Sequence, residues 1–149
     1  MGDYDFNDVV VQYRACQDKI NDSVKRYWIK GNLIAVGASY HNGFAVRLEG
    51  VSPSEVDTSV ISHRIGNEYP SALPVEQGRS ETILTVLPDT ATLFERQASC
   101  KFFRTEDNCF SQETIPFSLY IPLTNGIDSS PSPYHILNTF ILAVRPAPP

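Results

Sequence analysis

Asp3, Asp5, Asn7 and Asp8 set three carboxylates and an amide side by side in GDYDFNDVVVQY, directly before the apolar run Val9, Val10, Val11. Carboxylates so crowded repel one another unless a cation sits among them or solvent and backbone N–H groups take up the charge. Asp3, Asp5 and Asn7 are spaced i, i+2, i+4. In a coiled loop this spacing lets alternate side chains converge on one point, as in the first half of calcium-binding loops. Calcium accepts about six to eight hard oxygen ligands, and carboxylates with an amide carbonyl are of that kind. Zinc would want His or Cys, and none is near. Magnesium demands a tighter octahedron. The loop is not an EF-hand, because Asp8 stands where that loop has Gly and Arg14 where it has Glu. It is not the glycine-rich nonapeptide repeat either. Aspartates at this spacing also build Asx-turns, so spacing alone leaves a cation site and a solvated turn both open.

Three further groups have chemistry to offer. Trp28, next to Tyr27, can form a carbohydrate-stacking platform or pack in the core. Tyr40 and His41 in SYHNGF can touch a sugar or peptide, or form the exposed shoulder of a hairpin turn. Cys100 and Cys109 lie nine apart in SCKFFRTEDNC, a spacing that a disulfide can close if the protein is exported; the alternative is two buried thiols. Cys16 is left over. These cysteines and the scattered His41, His63 and His135 make no zinc pattern. Nucleophile-elbow and phosphate-loop motifs are absent. Asp3, Asp5, Glu49 and Glu55 are acids of the type glycoside hydrolysis needs, but nothing selects a pair. The chain is therefore expected not to be an enzyme.

The elements that must position these groups read as strands. Residues 9–17 alternate, with Val9, Val11, Tyr13 and Ala15 on one face and Gln12 and Arg14 on the other. DKINDS is a polar connection to a strand at 24–30. Gly31-Asn32 and Asn42-Gly43 then read as two-residue hairpin turns around a return strand at 33–40. With 44–49 (Phe44, Val46 and Leu48 on one face), this predicts an antiparallel meander over the first fifty residues. Further strands are expected at 59–65 and 82–88, with a turn after Pro53 and a short helix at 90–96 capped by Asp89 or Thr90. In IPFSLYIPL, Ile115, Phe117, Leu119 and Ile121 share a face, while Pro116 and Pro122 lack N–H donors and predict an edge or bulged strand. The apolar segment 134–144 is expected to be a central strand.

A chain of 149 residues is long enough for one domain with its own core. Eleven prolines and eight glycines punctuate it too often for long helices. The expected fold is an all-β, antiparallel β-sandwich, jelly-roll-like, with little helix. It forms one domain over 1–149, expected to be cut from a longer chain, with 145–149 as a tail. A net charge of −5 argues against nucleic acid as a partner, and no apolar run is long enough for membrane insertion.

GDYDFNDVVVQYR, followed by GASYHNGFAVRLEGV, resembles the LruC-domain family. Weaker likeness extends through IPFSLYIPL and SPYHILNTFILAV. The resemblance implies an exported bacterial module in the periplasm, at the outer membrane or on the cell surface. It implies Asp3, Asp5, Asn7 and Asp8 as ligands of a Ca2+ cofactor, and it implies no reaction. The expected function is a non-catalytic, calcium-binding module for adhesion, assembly or ligand display, with an unidentified protein or glycan partner. The alternative is a lectin-like carbohydrate-binding module that uses exposed aromatics or the bound metal.

Overall fold

The computed structural model of this chain describes residues 8–38, 40–95, 97–106, 108–109, 113–128 and 137–143. These residues form strands β1 (Val9–Ile20), β2 (Ser23–Val36), β3 (Asn42–Leu48), β4 (Ser62–Ile65), β5 (Thr82–Leu87), β6 (Ile115–Asp128) and β7 (Leu137–Ala143). Short 3-10 turns lie at Pro53–Glu55, Thr58–Val60 and Thr90–Thr92. Every strand pairing is antiparallel. The four-stranded sheet runs β1-β2-β6-β4 and the three-stranded sheet β5-β3-β7. The fold is the all-β antiparallel sandwich expected of the sequence.

Period-two alternation builds the core. Tyr27, Ile29 and Leu33 of β2 and Phe117, Leu119 and Ile121 of β6 point inward from the larger sheet. They join Phe44, Val46, Leu48, Leu84 and Val86 of the smaller one in a single buried cluster. Each such side chain contributes about 1.5–3 kcal/mol on burial. This double layer holds the sheets together and fixes which side chains are left outside.

Of the opening meander only the β1–β2 hairpin forms, and β3 lies in the other sheet. The meander's two proposed turns are strand residues, Gly31-Asn32 inside β2 and Asn42-Gly43 at the start of β3, because glycine serves there for closeness rather than for turning. A Cβ on Gly31 would stand 2.2 Å from the Gln12 carbonyl oxygen and 2.7 Å from Cζ of Phe117, so β1 and a core ring fill its place. A Cβ on Gly43 would meet the Leu87 and Pro88 carbonyl oxygens at 2.8 Å. The tight turn falls instead in the polar connection, where Asn21 (φ 50°) and Asp22 (φ 61°) are both left-handed and join Ile20 to its partner Ser23. Two successive positive φ values are what a type I′ hairpin requires. β2 then runs unbroken to Val36, and the chain crosses to the other sheet before β3.

Two other expectations are corrected. β3, not β7, is the central strand of its sheet. β6 is not an edge strand but lies between β2 and β4; the bulged alternative holds on its β2 side, where the register shifts between the Pro122–Arg26 and Ile127–Val24 pairs. Pro116 accepts from Gly66 N at 2.7 Å and Pro122 accepts from Asp57 N at 3.0 Å. In an antiparallel strand a residue's N–H and C=O point to the same side, so both missing donors face the β4 side. There β4 pairs only from Ser62 (opposite Tyr120) to Ile65 (opposite Phe117), and the prolines fall just beyond its ends. The Gly66 carbonyl, which receives nothing from Pro116, accepts from Nε of Arg64 at 2.9 Å.

Candidate functional site

The outward residues of the larger sheet line up in rows set by its register. Cys16, Trp28, Tyr120 and Ser62 form one row across β1, β2, β6 and β4. Arg14, Lys30, Ser118 and Arg64 form the next. Because Pro116 turns its backbone toward β4, so does Tyr120. Trp28 and Tyr120 therefore face each other as a non-hydrogen-bonded pair, the kind that brings side chains closest. Their ring centroids stand 4.5 Å apart with the planes tilted by 49°.

Trp28 is held on its other sides too. Its Nε1 donates to Oδ2 of Asp18 at 3.2 Å, and Arg26 pairs with the same carboxylate at 3.0 Å. The ammonium of Lys30 lies 4.8 Å from the ring centroid, a cation–π contact on a half-exposed surface. The ring is thus pinned by its edge and by Tyr120, with a long, exposed lysine as its movable neighbour.

Two hollows flank Lys30. One, of about 310 Å³, is lined by Arg14, Cys16, Trp28 and Lys30. The other, of about 260 Å³, is lined by Lys30, Arg64, Gly66, Pro116, Phe117 and Ser118. Each is near the lower end of small-molecule pockets. The charged residues in both linings are basic. Arg64 is fixed in place by its bonds to the Gly66 carbonyl and, through Nη2, to Oδ1 of Asn67 at 3.1 Å. Its remaining N–H groups are left for another acceptor.

The other residues singled out from sequence go elsewhere. Asp3, Asp5 and Asn7 lie outside the described residues. Asp8 is exposed, and its carbonyl accepts from Gly37 N at 3.1 Å. The motif's end thus abuts the start of the GASYHNGF block. Among the described residues, no three His, Cys, Asp or Glu side chains are grouped to hold a metal. Tyr40 is 74% exposed. Nδ1 of His41 sits 2.6 Å from Oδ2 of Asp89, whose other oxygen caps Ala91 N at 3.0 Å. This pair leads into β3, on the other sheet from Trp28, so the structure does not unite Trp28 with Tyr40 and His41 in one site.

Cys100 and Cys109 are joined by a disulfide with their Cα atoms 5.9 Å apart, and Cys16 is free and exposed. The closed loop carries Phe103 into the core, where it exchanges backbone bonds with Val36 at 2.9 and 3.1 Å and stacks on Phe94 at 4.7 Å. It is a plug for one end of the sandwich. Of the acids considered for hydrolysis, the two among the described residues have structural partners: Glu49 pairs with Arg47 at 2.8 Å, and Glu55 accepts from Ser52 N at 2.7 Å. Among the described residues, two groups have clearly displaced pKa values, and both belong to the core. Burial, with the charge of Glu55, pushes the Tyr27 hydroxyl up to about 12, and burial lowers that of His63.

Sequence reading missed Arg14, Lys30, Arg64 and Tyr120 as a group. Alternation already turns Arg14 and Tyr120 outward. Only the strand order, which sets β6 beside β2 and β4 beside β6, makes them neighbours.

A family model described as a domain of unknown function (DUF4842) matches residues 22–147. No curated protein matches the chain, and no solved structure does.

Proposed function

The chain belongs to the DUF4842 family, a domain of unknown function, and we propose that it is a non-catalytic binding module that presents the outer face of its larger sheet to a glycan. The observation that carries this reading is the pinned Trp28–Tyr120 pair beside two hollows. An aromatic ring fixed at its edge offers apolar area to a sugar at little entropic cost. The setting is an exported envelope or surface protein. The Cys100–Cys109 disulfide supports this, since such bonds persist in oxidising compartments, as does the resemblance to LruC-domain modules. A glycan array tests the binding. The folded protein binds a glycan, and Trp28→Ala, with its fold verified by circular dichroism, loses the signal. An array left blank by the folded protein overturns the reading.

A second reading concerns the acidic motif. The bond from Gly37 N to the Asp8 carbonyl ties its end to the chain that leads into β3, so a calcium ion at Asp3, Asp5, Asn7 and Asp8 would brace both sheets at that corner. Calcium that binds only the native state at about 100 times its Kd adds about 2.7 kcal/mol of stability. Millimolar calcium is expected to raise the melting temperature, and Asp3→Asn with Asp5→Asn to cancel the rise. Identical melting curves in calcium and in EDTA would sink this idea.

A further inference from the structure

We propose that the two hollows flanking Lys30 form one groove for an acidic oligosaccharide, in which Arg14, Lys30 and Arg64 receive sugar carboxylates while Trp28 stacks against a ring. This rests on the glycan reading of the same face and names the class of ligand.

Register supplies the first argument. Arg14 is opposite Lys30, Lys30 opposite Ser118 and Ser118 opposite Arg64, so three cations stand in one row across four strands. Neighbouring strands lie about 4.8 Å apart, which puts Lys30 roughly one strand spacing from Arg14 and two from Arg64. Such a row suits charges repeated along a chain better than a single anion. Lys30 lines both hollows, so the ligand's path runs past it rather than ending there.

Charge supplies the second. The chain as a whole carries −5, yet the charged residues lining both hollows are all basic. Among the described residues, no carboxylate forms an ion pair with Arg14, Lys30 or Arg64. On the Trp28 side, Asp18 is already engaged by Arg26 and the indole. Arg64 is held by the Gly66 carbonyl and the Asn67 side-chain oxygen with donors to spare, an arrangement suited to a planar carboxylate. Ser118 lies between Lys30 and Arg64 and adds a hydroxyl. The net charge of −5 disfavours any long polyanion, saccharide or nucleic acid, so a short acidic oligosaccharide that spans only this local basic row fits the face best.

The test uses paired probes: short oligosaccharides of polygalacturonate, alginate and glucuronic acid, each beside the same material after carboxyl reduction, titrated by calorimetry. At least one acidic probe is expected to bind at least tenfold more tightly than its reduced partner and to weaken as sodium chloride is raised. Arg14→Gln and Arg64→Gln should each lower affinity for the acidic form about fivefold or more, with little effect on the reduced form. Trp28→Ala should lose both. Equal binding of acidic and reduced forms, lost in Trp28→Ala but unchanged in the arginine variants, overturns the acidic groove and leaves the aromatic platform standing. So does tighter binding of single-stranded DNA than of every saccharide. No binding of any saccharide by the folded protein removes the groove together with the platform.

Discussion

Nε2 of His63 donates to the carbonyl of Val86 at 2.8 Å, tying a side chain of the larger sheet to the backbone of the smaller. A carbonyl can only accept, so the proton must sit on Nε2. Nδ1 is buried without a partner among the described residues, and a second proton there would have nowhere to point.

The pH dependence follows. Burial lowers the pKa of His63, against the weaker opposite pull of the Val86 bond. An unfolded histidine titrates near about 6.5. Below that pH the unfolded chain takes up a proton that the folded one resists, so stability is full above about pH 6.5 and declines as the pH falls. Urea midpoints between pH 5 and 8 should show this slope. His63→Gln, which keeps a donor at Nε2 and does not titrate, should flatten it. A slope that persists in the variant would clear His63 of the effect.

Gly31→Ala should be among the most damaging small substitutions. The added methyl meets backbone at 2.2 Å, which no rotamer change relieves, so a loss of about 3 kcal/mol or more is expected. Gly50 makes the contrast. It has φ +72° but open space around it, and Gly50→Ala should cost only about 1–2 kcal/mol. Denaturant unfolding of the two variants checks the order.

Reducing the Cys100–Cys109 bridge should cost about 2–3 kcal/mol, the loop-entropy value for so short a closure. Phe103 remains paired to Val36, so the protein should melt earlier rather than unfold outright. Melting curves with and without reductant, and of Cys100→Ser with Cys109→Ser, measure it. Unchanged curves would mean that Phe103 packing alone holds the plug.

The sequence was most legible where alternation was clean. The inward faces of β6 and β3 follow from residue types and spacing, whereas the spacing of Cys100 and Cys109 allowed a disulfide without choosing it over two buried thiols. Turn assignment failed where glycine had two explanations. Gly31-Asn32 and Asn42-Gly43 have the composition of hairpin turns, but neighbouring backbone occupies the space of their missing side chains, a tertiary fact. Asn21-Asp22 turns instead, with two polar residues that tolerate positive φ. The candidate site was half legible: Trp28 could be picked out alone, while Arg14, Lys30 and Arg64 are far apart in the chain and meet only through strand order.

Pro116 and Pro122 act as end stops for β4. If that strand slid two residues either way along β6, one of its carbonyls would come opposite a nitrogen with no proton to give. The short strand is thereby indexed like a key in a lock. Because Arg64 rides on it, the prolines also keep that guanidinium level with Ser118 and Lys30. Two residues that contribute no donor to the sheet thus calibrate the alignment of a charge row formed on three other strands.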